Sequence, residues 1–319
     1  MIFIFARSGG AHGLGHLSRM INLGYQFVGY NQAVAFITNE ESLSIIPDRF
    51  FSVHAYGGMP TVQEMLYRSI VMYPESNNHM LIVDDKEVTD HDVQSIPLRL
   101  RARISIDNPD ANKLEQSYDL LIFPNAHMGQ HEIYQCMTRF PMGKVFHGFD
   151  YVLMHKDLRK PIDMPTKEKI VTVSSGGSDP DRFSERLVPL FDCLPPGYSL
   201  HILDAHHWNF EMIAKSLLHI CPWGVTVYEA MCLGTPVLTF PRNIEDYERA
   251  KILANRTGGA IDVFSLDFSY KELINVVSHL LSAGNAPHLK MMRLGSFGSV
   301  NVHGAARVAA LLVKEFCHE

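Results

Sequence analysis

Short runs of apolar, often branched residues recur along the chain, and between them apolar positions fall three and four apart. Ile2 to Ala6, Ala33 to Thr38, the weaker Phe51 to Tyr56, Met80 to Val83, Arg103 to Ile106 and Leu120 to Phe123 show the first pattern and predict strands. Leu17, Met20, Ile21, Leu23 and Phe27, and the stretch Val62 to Met72, show the second and predict helices. Several runs are mostly apolar and then turn polar, at Asp84 and Asp85, at Asp107, and at Pro124 and Asn125. Strands covered on both faces of a parallel sheet read this way, with polar residues at their carboxyl ends. Strands alternating with helical spacers predict βαβ units.

Lys144 to Phe149 leads to Tyr151, Val152 and Leu153, and then the composition changes. From Lys156 to Lys169 the chain is rich in charge and holds Pro161 and Pro165, so a domain boundary is expected there. A second series follows, with strands expected at Ile170 to Val173, Leu200 to Leu203, His219 to Pro222, Pro236 to Phe240 and the edge-like Ala260 to Val263. Helical spacing covers Phe183 to Phe191, Met212 to Leu218, Gly224 to Cys232, Tyr247 to Asn255, Tyr270 to Leu281 and Gly304 to Phe316. The expectation is an α/β chain of two parallel-sheet domains, 1–155 and 156–319, the last helix being a candidate to pack back on the first domain. Each half opens with strand, glycine loop and helix, which predicts two loops facing across a cleft with the ligand between them.

The first loop is dense in chemistry: Gly9, Gly10, His12, Gly13, Gly15 and His16, then Arg19. Glycines let the backbone turn tightly and approach a ligand, and the free N–H groups of a helix start favour an anion. Gly15 and His16 are expected beside that anion, with Gly13 and His12 in the same loop and His12 lining it. The plainer reading is a tight turn with a histidine cap. No Lys-Ser or Lys-Thr pair closes a P-loop, and the glycines do not fit a dinucleotide fingerprint.

At 319 residues, with 46% apolar and 19% charged, the chain is long enough for two ordinary domains and is not composed like a disordered one. A net charge of -6 with scattered Lys and Arg leaves no basic stripe for nucleic acid. The 17 histidines include no pair spaced as in a zinc helix or finger. Asp90, His91 and Asp92 superficially form a metal-binding D-x-D, to which little weight attaches. The 5 cysteines form no C-x-x-C and leave an odd one over, which suits a reducing compartment. With no signal-like segment and no apolar run near the roughly 18 residues that cross a bilayer, a cytoplasmic protein is expected.

Three groups in the second half look like parts of one site. Ser174 to Ser178, with Ser175, Gly176, Gly177 and Ser178, offers hydroxyls and backbone N–H groups suited to a phosphate or ribose. Gly224, Val225 and Thr226 open another helix, and Glu229 has the two acceptor oxygens that a ribose diol needs. Arg242, Asn243 and Glu245 follow a strand end, where ligand-contacting loops lie, with Arg242 reaching either a phosphate or solvent. The plainer reading of Glu229 is a solvated helical carboxylate.

The G-x-G-H-x-x-R of Gly13, Gly15, His16 and Arg19, the GGSDP of Gly176 to Pro180, and TVYEAMCLGTP from Thr226 to Pro236 are similar to motifs of one known family. Ile106 and Asp107, Tyr118 to Leu121, GFDYVL from Gly148 to Leu153 and the ending Gly304 to Val308 extend the match over nearly the whole chain. The sequence resembles the PseG/SpsG group, nucleotide-sugar hydrolases of pseudaminic acid and spore-coat polysaccharide pathways and relatives of the MurG-type glycosyltransferases. The resemblance implies a GT-B fold of two Rossmann-like domains and a UDP-sugar substrate. It further implies that His16 activates water to displace UDP with inversion and no metal or other cofactor, and that Gly177 and Glu229 hold the nucleotide. The chain departs from the family at Asp84, Asp85 and Lys86, where pseudaminic-pathway hydrolases resemble Asp-His-Tyr, and at Ile244, where many relatives have Gln. These departures fall on the sugar or acceptor side, where the resemblance implies that Asp84, Asp85, Asn243 and Glu245 lie, with Gly13 and His12.

The first functional reading is therefore a UDP-sugar hydrolase serving a surface-polysaccharide or flagellin-type sugar. The alternative is a GT-B glycosyltransferase that passes the sugar to a hydroxyl acceptor, and a third is a nucleotide-sugar binding subunit without turnover. Nothing local selects the sugar or the base.

Overall fold

The structure is a computed structural model. It describes residues 1–9, 14–58, 60–73, 78–85, 87–96, 100–107, 117–124, 130–139, 144–158, 160–161, 163–175, 194–203 and 208–317. The chain divides into two compact units, Met1–Lys156 with His303–Glu319, and Asp157–Val302.

The first unit is built on a parallel sheet in the order β3-β2-β1-β4-β5-β6-β7, comprising β1 (Ile2–Phe5), β2 (Val34–Asn39), β3 (Ser52–Tyr56), β4 (Met80–Val83), β5 (Ala102–Ile106), β6 (Leu120–Phe123) and β7 (Val145–His147). Alternate residues of each strand point to opposite faces, and both faces are covered. Ile2, Ile4, Phe36, Ile82, Ile104 and Ile122 pack with Leu17, Met20 and Phe27 of α1 (Gly15–Gly29) and with Val308, Ala309 and Leu312 of the last helix, Gly304–Phe316. Phe3, Phe5, Ile37, Leu81, Val83 and Leu121 pack on the other face with Leu66 and Ile70 of α2 (Val62–Val71), Val93 of α3 (Asp90–Gln94) and Ile133 of α4 (Gln130–Arg139). This double burial explains the uninterrupted apolar runs of β1, β4 and β6.

The last helix is in contact with 152 because residue 304 is glycine. A Cβ there would stand 2.1 Å from the Val152 carbonyl oxygen.

The second unit holds a parallel sheet in the order β12-β11-β10-β8-β9, comprising β8 (Glu168–Ser174), β9 (Ser199–Leu203), β10 (Ser216–Pro222), β11 (Val237–Phe240) and β12 (Ile261–Val263). Its described helices are α5 (Phe210–Lys215), α6 (Val225–Cys232), α7 (Ile244–Arg256), α8 (Tyr270–Leu280) and α9 (Ala286–Ser299), with the Gly304–Phe316 helix of the first unit then α10. Val171, Val173, Leu218, Ile220 and Leu238 face Leu273, Val277, Leu280 and Met292 of α8 and α9. The opposite side of β8 and β10 carries a buried polar set in which His219 meets Thr172 through Nδ1 (2.9 Å) and Ser174 through Nε2 (3.3 Å). Burial pushes the His219 imidazole down to about 3, so it is neutral in the fold.

One expectation is corrected. The helix expected over Met212 to Leu218 ends at Lys215, and Ser216 already belongs to β10. The Ser216 hydroxyl donates to the Met212 carbonyl at 2.7 Å and turns the chain out of the helix. The Asp90-His91-Asp92 sequence is a helix start: Asp92 accepts from the Thr89 N–H at 2.8 Å and its hydroxyl at 2.6 Å, a capping box. The helix expected over Phe183 to Phe191 lies outside the described residues. No helix among the described residues is long and apolar enough to cross a membrane.

Candidate active site

In the first sheet the chain runs from β1 outward to β2 and β3, then returns to the other side of β1 for β4. This reversal is a topological switch point, where ligands of open parallel sheets bind outside the carboxyl ends of the strands. Arg7 follows β1, Asp84 and Asp85 follow β4, Asp107 follows β5, and α1 brings His16 in its first turn.

The loop after β1 is pinned where it leaves the sheet. The Asn39 side chain accepts from the Ser8 N–H (3.2 Å) and donates to the Ser8 carbonyl (2.7 Å), while Ser8 and Ser42 share a buried hydroxyl contact of 2.8 Å. Beyond it Gly9 takes a positive φ of 82°. His12 and Gly13 lie outside the described residues.

His16 stands between this loop and the end of β4. Its Nδ1 is 2.7 Å from Asp84 Oδ1, with the imidazole 26% and the carboxylate 0% exposed. Leu14 leaves the start of α1 without a side-chain cap. Arg19 Nη2, a donor, also lies 3.0 Å from Nδ1; with the ring proton on Nδ1 facing the carboxylate, an obligatory acceptor when ionised, Nε2 keeps a free lone pair. Nε2 makes no hydrogen bond to any described residue.

Arg19, one turn further along α1, locks Asp84 in place. Its Nε donates to Asp84 Oδ2 at 2.6 Å, its Nη2 to Oδ1 and its Nη1 to Asp107 Oδ2 at 2.8 Å. Burial alone would raise the Asp84 carboxyl, but the charge of Arg19 and then His16 outweigh it and hold it below the usual range. Arg19 is desolvated too, yet Asp84 and Asp107 raise it above an ordinary guanidinium. Asp85, buried like Asp84, takes two bonds from Arg7, at 2.6 and 2.9 Å. Arg7 also reaches Glu87 at 2.7 Å. Both carboxylates expected beside the sugar are thus bonded to cations, a role the sequence reading missed. Acidic residues at two adjacent strand ends and an arginine three residues past the loop histidine were the available signal.

The second sheet has its own reversal, between β8 and β10. Ser175 directly follows β8 and is 5% exposed. Gly224 caps α6 with no side-chain bond, and Val225 and Thr226 form its first turn. Arg242, after β11, donates from Nη2 to the Ser175 carbonyl at 2.8 Å, so a cation joins the strand ends. Glu229 is 7% exposed and is not a solvated surface carboxylate; after burial, its charge helps push the Cys221 thiol up. Asn243 caps α7 by accepting from the Asp246 N–H at 2.8 Å, and Glu245 pairs with Arg249. Gly176, Gly177 and Ser178 lie outside the described residues.

No family model matches the sequence, and no curated protein matches it. Solved structures do match in fold. MurG of Acinetobacter baumannii aligns with a TM-score of 0.65 at 13% identity, covering 98% of this chain and 99% of that one. UGT89C1 of Arabidopsis thaliana complexed with quercetin gives 0.63 at 11%, covering 99% of each. The spinosyn rhamnosyltransferase SpnG complexed with thymidine diphosphate gives 0.58 at 12%, covering 97% and 99%. The fold is that of the GT-B glycosyltransferases. Within the GT-B fold, both switch points carry the polar residues described above: a histidine paired with a carboxylate in the first sheet, and a helix start without a side-chain cap beside a cation in the second.

Proposed function

We propose that the chain is a glycosyltransferase that moves a sugar from a nucleoside diphosphate to a hydroxyl acceptor. The observation that carries this reading is the His16 and Asp84 pair at the β1/β4 switch point, with Nε2 left open. The acceptor oxygen attacks the anomeric carbon, its proton passes to His16 Nε2, and the bond to the diphosphate breaks with the electron pair leaving on phosphate. A single in-line displacement inverts the anomeric centre. Asp84 holds the productive tautomer and stabilises the imidazolium as it forms.

The second unit is assigned the nucleotide. The α6 N-terminus at Gly224, Val225 and Thr226, with Ser175 and the charge of Arg242, suits a diphosphate, and Glu229 suits the ribose diol. At both Gly15 and Gly224 an added Cβ would meet nothing within 4 Å among the described residues. The backbone at both positions is therefore open to the approach of a ligand. Of the solved GT-B structures, SpnG is complexed with thymidine diphosphate and UGT89C1 with quercetin, and donor and acceptor of those kinds are carried over here as part of the proposal. Water as acceptor is the second reading. It rests on the Gly13, Gly15, His16 and Arg19 motif, and it uses the same base and the same departure.

The test is release of UDP or TDP from a panel of sugar donors, with and without a panel of hydroxyl acceptors. Release that requires an acceptor supports transfer, and release in water alone supports the second reading. Binding without release under every condition would overturn both.

A further inference from the structure

We propose that His219, buried within the second sheet, is a positioning residue of the nucleotide site: through the Ser174 hydroxyl it fixes the end of β8, from which the nucleotide loop departs. The inference rests on the second unit holding the nucleotide, as proposed above.

Thr172, Ser174, Ser216 and His219 are fully buried on β8 and β10, with Thr172 opposite His219 in the ladder. A buried polar set is stable only when its members are paired, and here the pairing runs in a single direction. The Ser216 hydroxyl donates to the Met212 carbonyl at 2.7 Å, which has no proton to return. Thr172 therefore donates to Ser216 at 3.1 Å. With its own proton used, Thr172 can only accept from His219 Nδ1, at 2.9 Å. The ring proton is thus on Nδ1, and Nε2 of the neutral imidazole accepts from the Ser174 hydroxyl at 3.3 Å.

Both ends of this line matter. At its start, three successive carbonyls at the end of α5 are held by side chains from three segments: Met212 by Ser216, Ile213 by the Thr235 hydroxyl at 2.7 Å, and Ala214 by Lys167 at 2.7 Å. The line is therefore anchored to a fixed helix end. At its finish stands Ser174, the last residue of β8. Its hydroxyl proton is directed into the sheet, so it anchors the loop and does not donate to a phosphate. The next residue, Ser175, gives its carbonyl to Arg242 at 2.8 Å. The strand end is held twice, by His219 from within the sheet and by Arg242 after β11, just before the chain enters Gly176, Gly177 and Ser178. A strand end ordered in advance spares the ligand the cost of ordering it, and releasing one hold shows as weaker binding.

The experiment measures UDP and TDP binding by calorimetry on the intact chain, well below its melting temperature, for the parent, Ser174→Ala, His219→Leu and the double variant. Each single variant weakens binding of the nucleotide that the parent takes by about tenfold. The double variant is weaker than either by less than about threefold, because both cut the same link. In turnover the His219→Leu loss falls on the donor KM and leaves kcat within about threefold. Nitrogen-15 spectra of the parent show Nδ1 as the protonated nitrogen of His219. Folded single variants that bind nucleotide like the parent, with only the melting temperature lowered, overturn the proposal. So do additive losses, with the double variant about a hundredfold weaker, and a ring proton found on Nε2. If His219→Leu does not fold, Ser174→Ala decides by the same tenfold loss. A parent that binds neither UDP nor TDP is the failure of the nucleotide assignment itself and takes this inference with it.

Discussion

Asp84→Asn removes one charge and almost no volume from the group that His16 and Arg19 share, and it separates two effects. The first is on stability. The carboxylate is fully buried and bonded to Arg19 through both oxygens, and breaking a buried pair by removing one partner costs about 3–5 kcal/mol. Asn still offers one acceptor and Asp107 still holds Nη1, so the lower end, about 3 kcal/mol, is expected. At about 2–4 °C per kcal/mol, that lowers the melting temperature by about 6–12 °C. The pH dependence has a definite sign. A carboxylate held below its ordinary range stabilises above that range, and the contribution is lost as pH falls through its folded value. Asp84→Asn therefore flattens the acid side of the stability curve. The second effect is on chemistry. An amide nitrogen facing Nδ1 donates to it and moves the ring proton to Nε2, which removes the base. Turnover falls by about 10²–10⁴-fold, with donor affinity changed little. The assays are thermal melting from pH 3 to 8, steady-state turnover, and nucleotide binding by calorimetry. A folded Asp84→Asn that keeps turnover within threefold of the parent would refute the assignment of Asp84 as the group that orients His16.

Other outcomes follow from single residues. Lys167 is held by the Ala214 carbonyl (2.7 Å) and the Thr235 hydroxyl (2.8 Å), and burial, then Arg293, lowers its ammonium to about 7. Between pH 7 and 10.5 the unfolded chain binds the extra proton, so stability rises with pH across that window, and Lys167→Met removes the rise in a denaturant series. His219, neutral in the fold, gives the same sign at lower pH: stability falls as pH drops from about 6.5 toward 3, as acid melting of the second unit would record. Gly304→Ala drives a methyl into the backbone at Val152. It destabilises by about 1–3 kcal/mol or more, measurable by denaturant unfolding, through the helix that packs on α1.

The sheets were legible because their strands are apolar on both faces: β1, β4 and β6 have no solvent side and read as unbroken runs. The boundary at Ser216 was not, because a helix end and a buried strand share one apolar stretch, and a single hydroxyl bond divides them. Helix α9 escaped notice because Gly295 and Ser296 replace large apolar residues where the helix closes on Thr257 and Ala260; a Cβ at Gly295 would be 3.0 Å from the Thr257 carbonyl. His16 stood out within an unusual local pattern of glycines. Asp84 and Asp107 did not acquire their roles from any local pattern, since they lie 65 and 88 residues from the arginine that joins them. Only the order of strands in the sheet brings them together.

The central claim is that the open nitrogen of His16 takes the proton of the attacking hydroxyl. Its most direct test is to measure His16→Ala for sugar transfer and for nucleotide diphosphate binding in the same preparation. Loss of about 10²–10⁴-fold in turnover, with nucleotide affinity within about threefold of the parent, is the predicted result. Undiminished transfer by His16→Ala would contradict it.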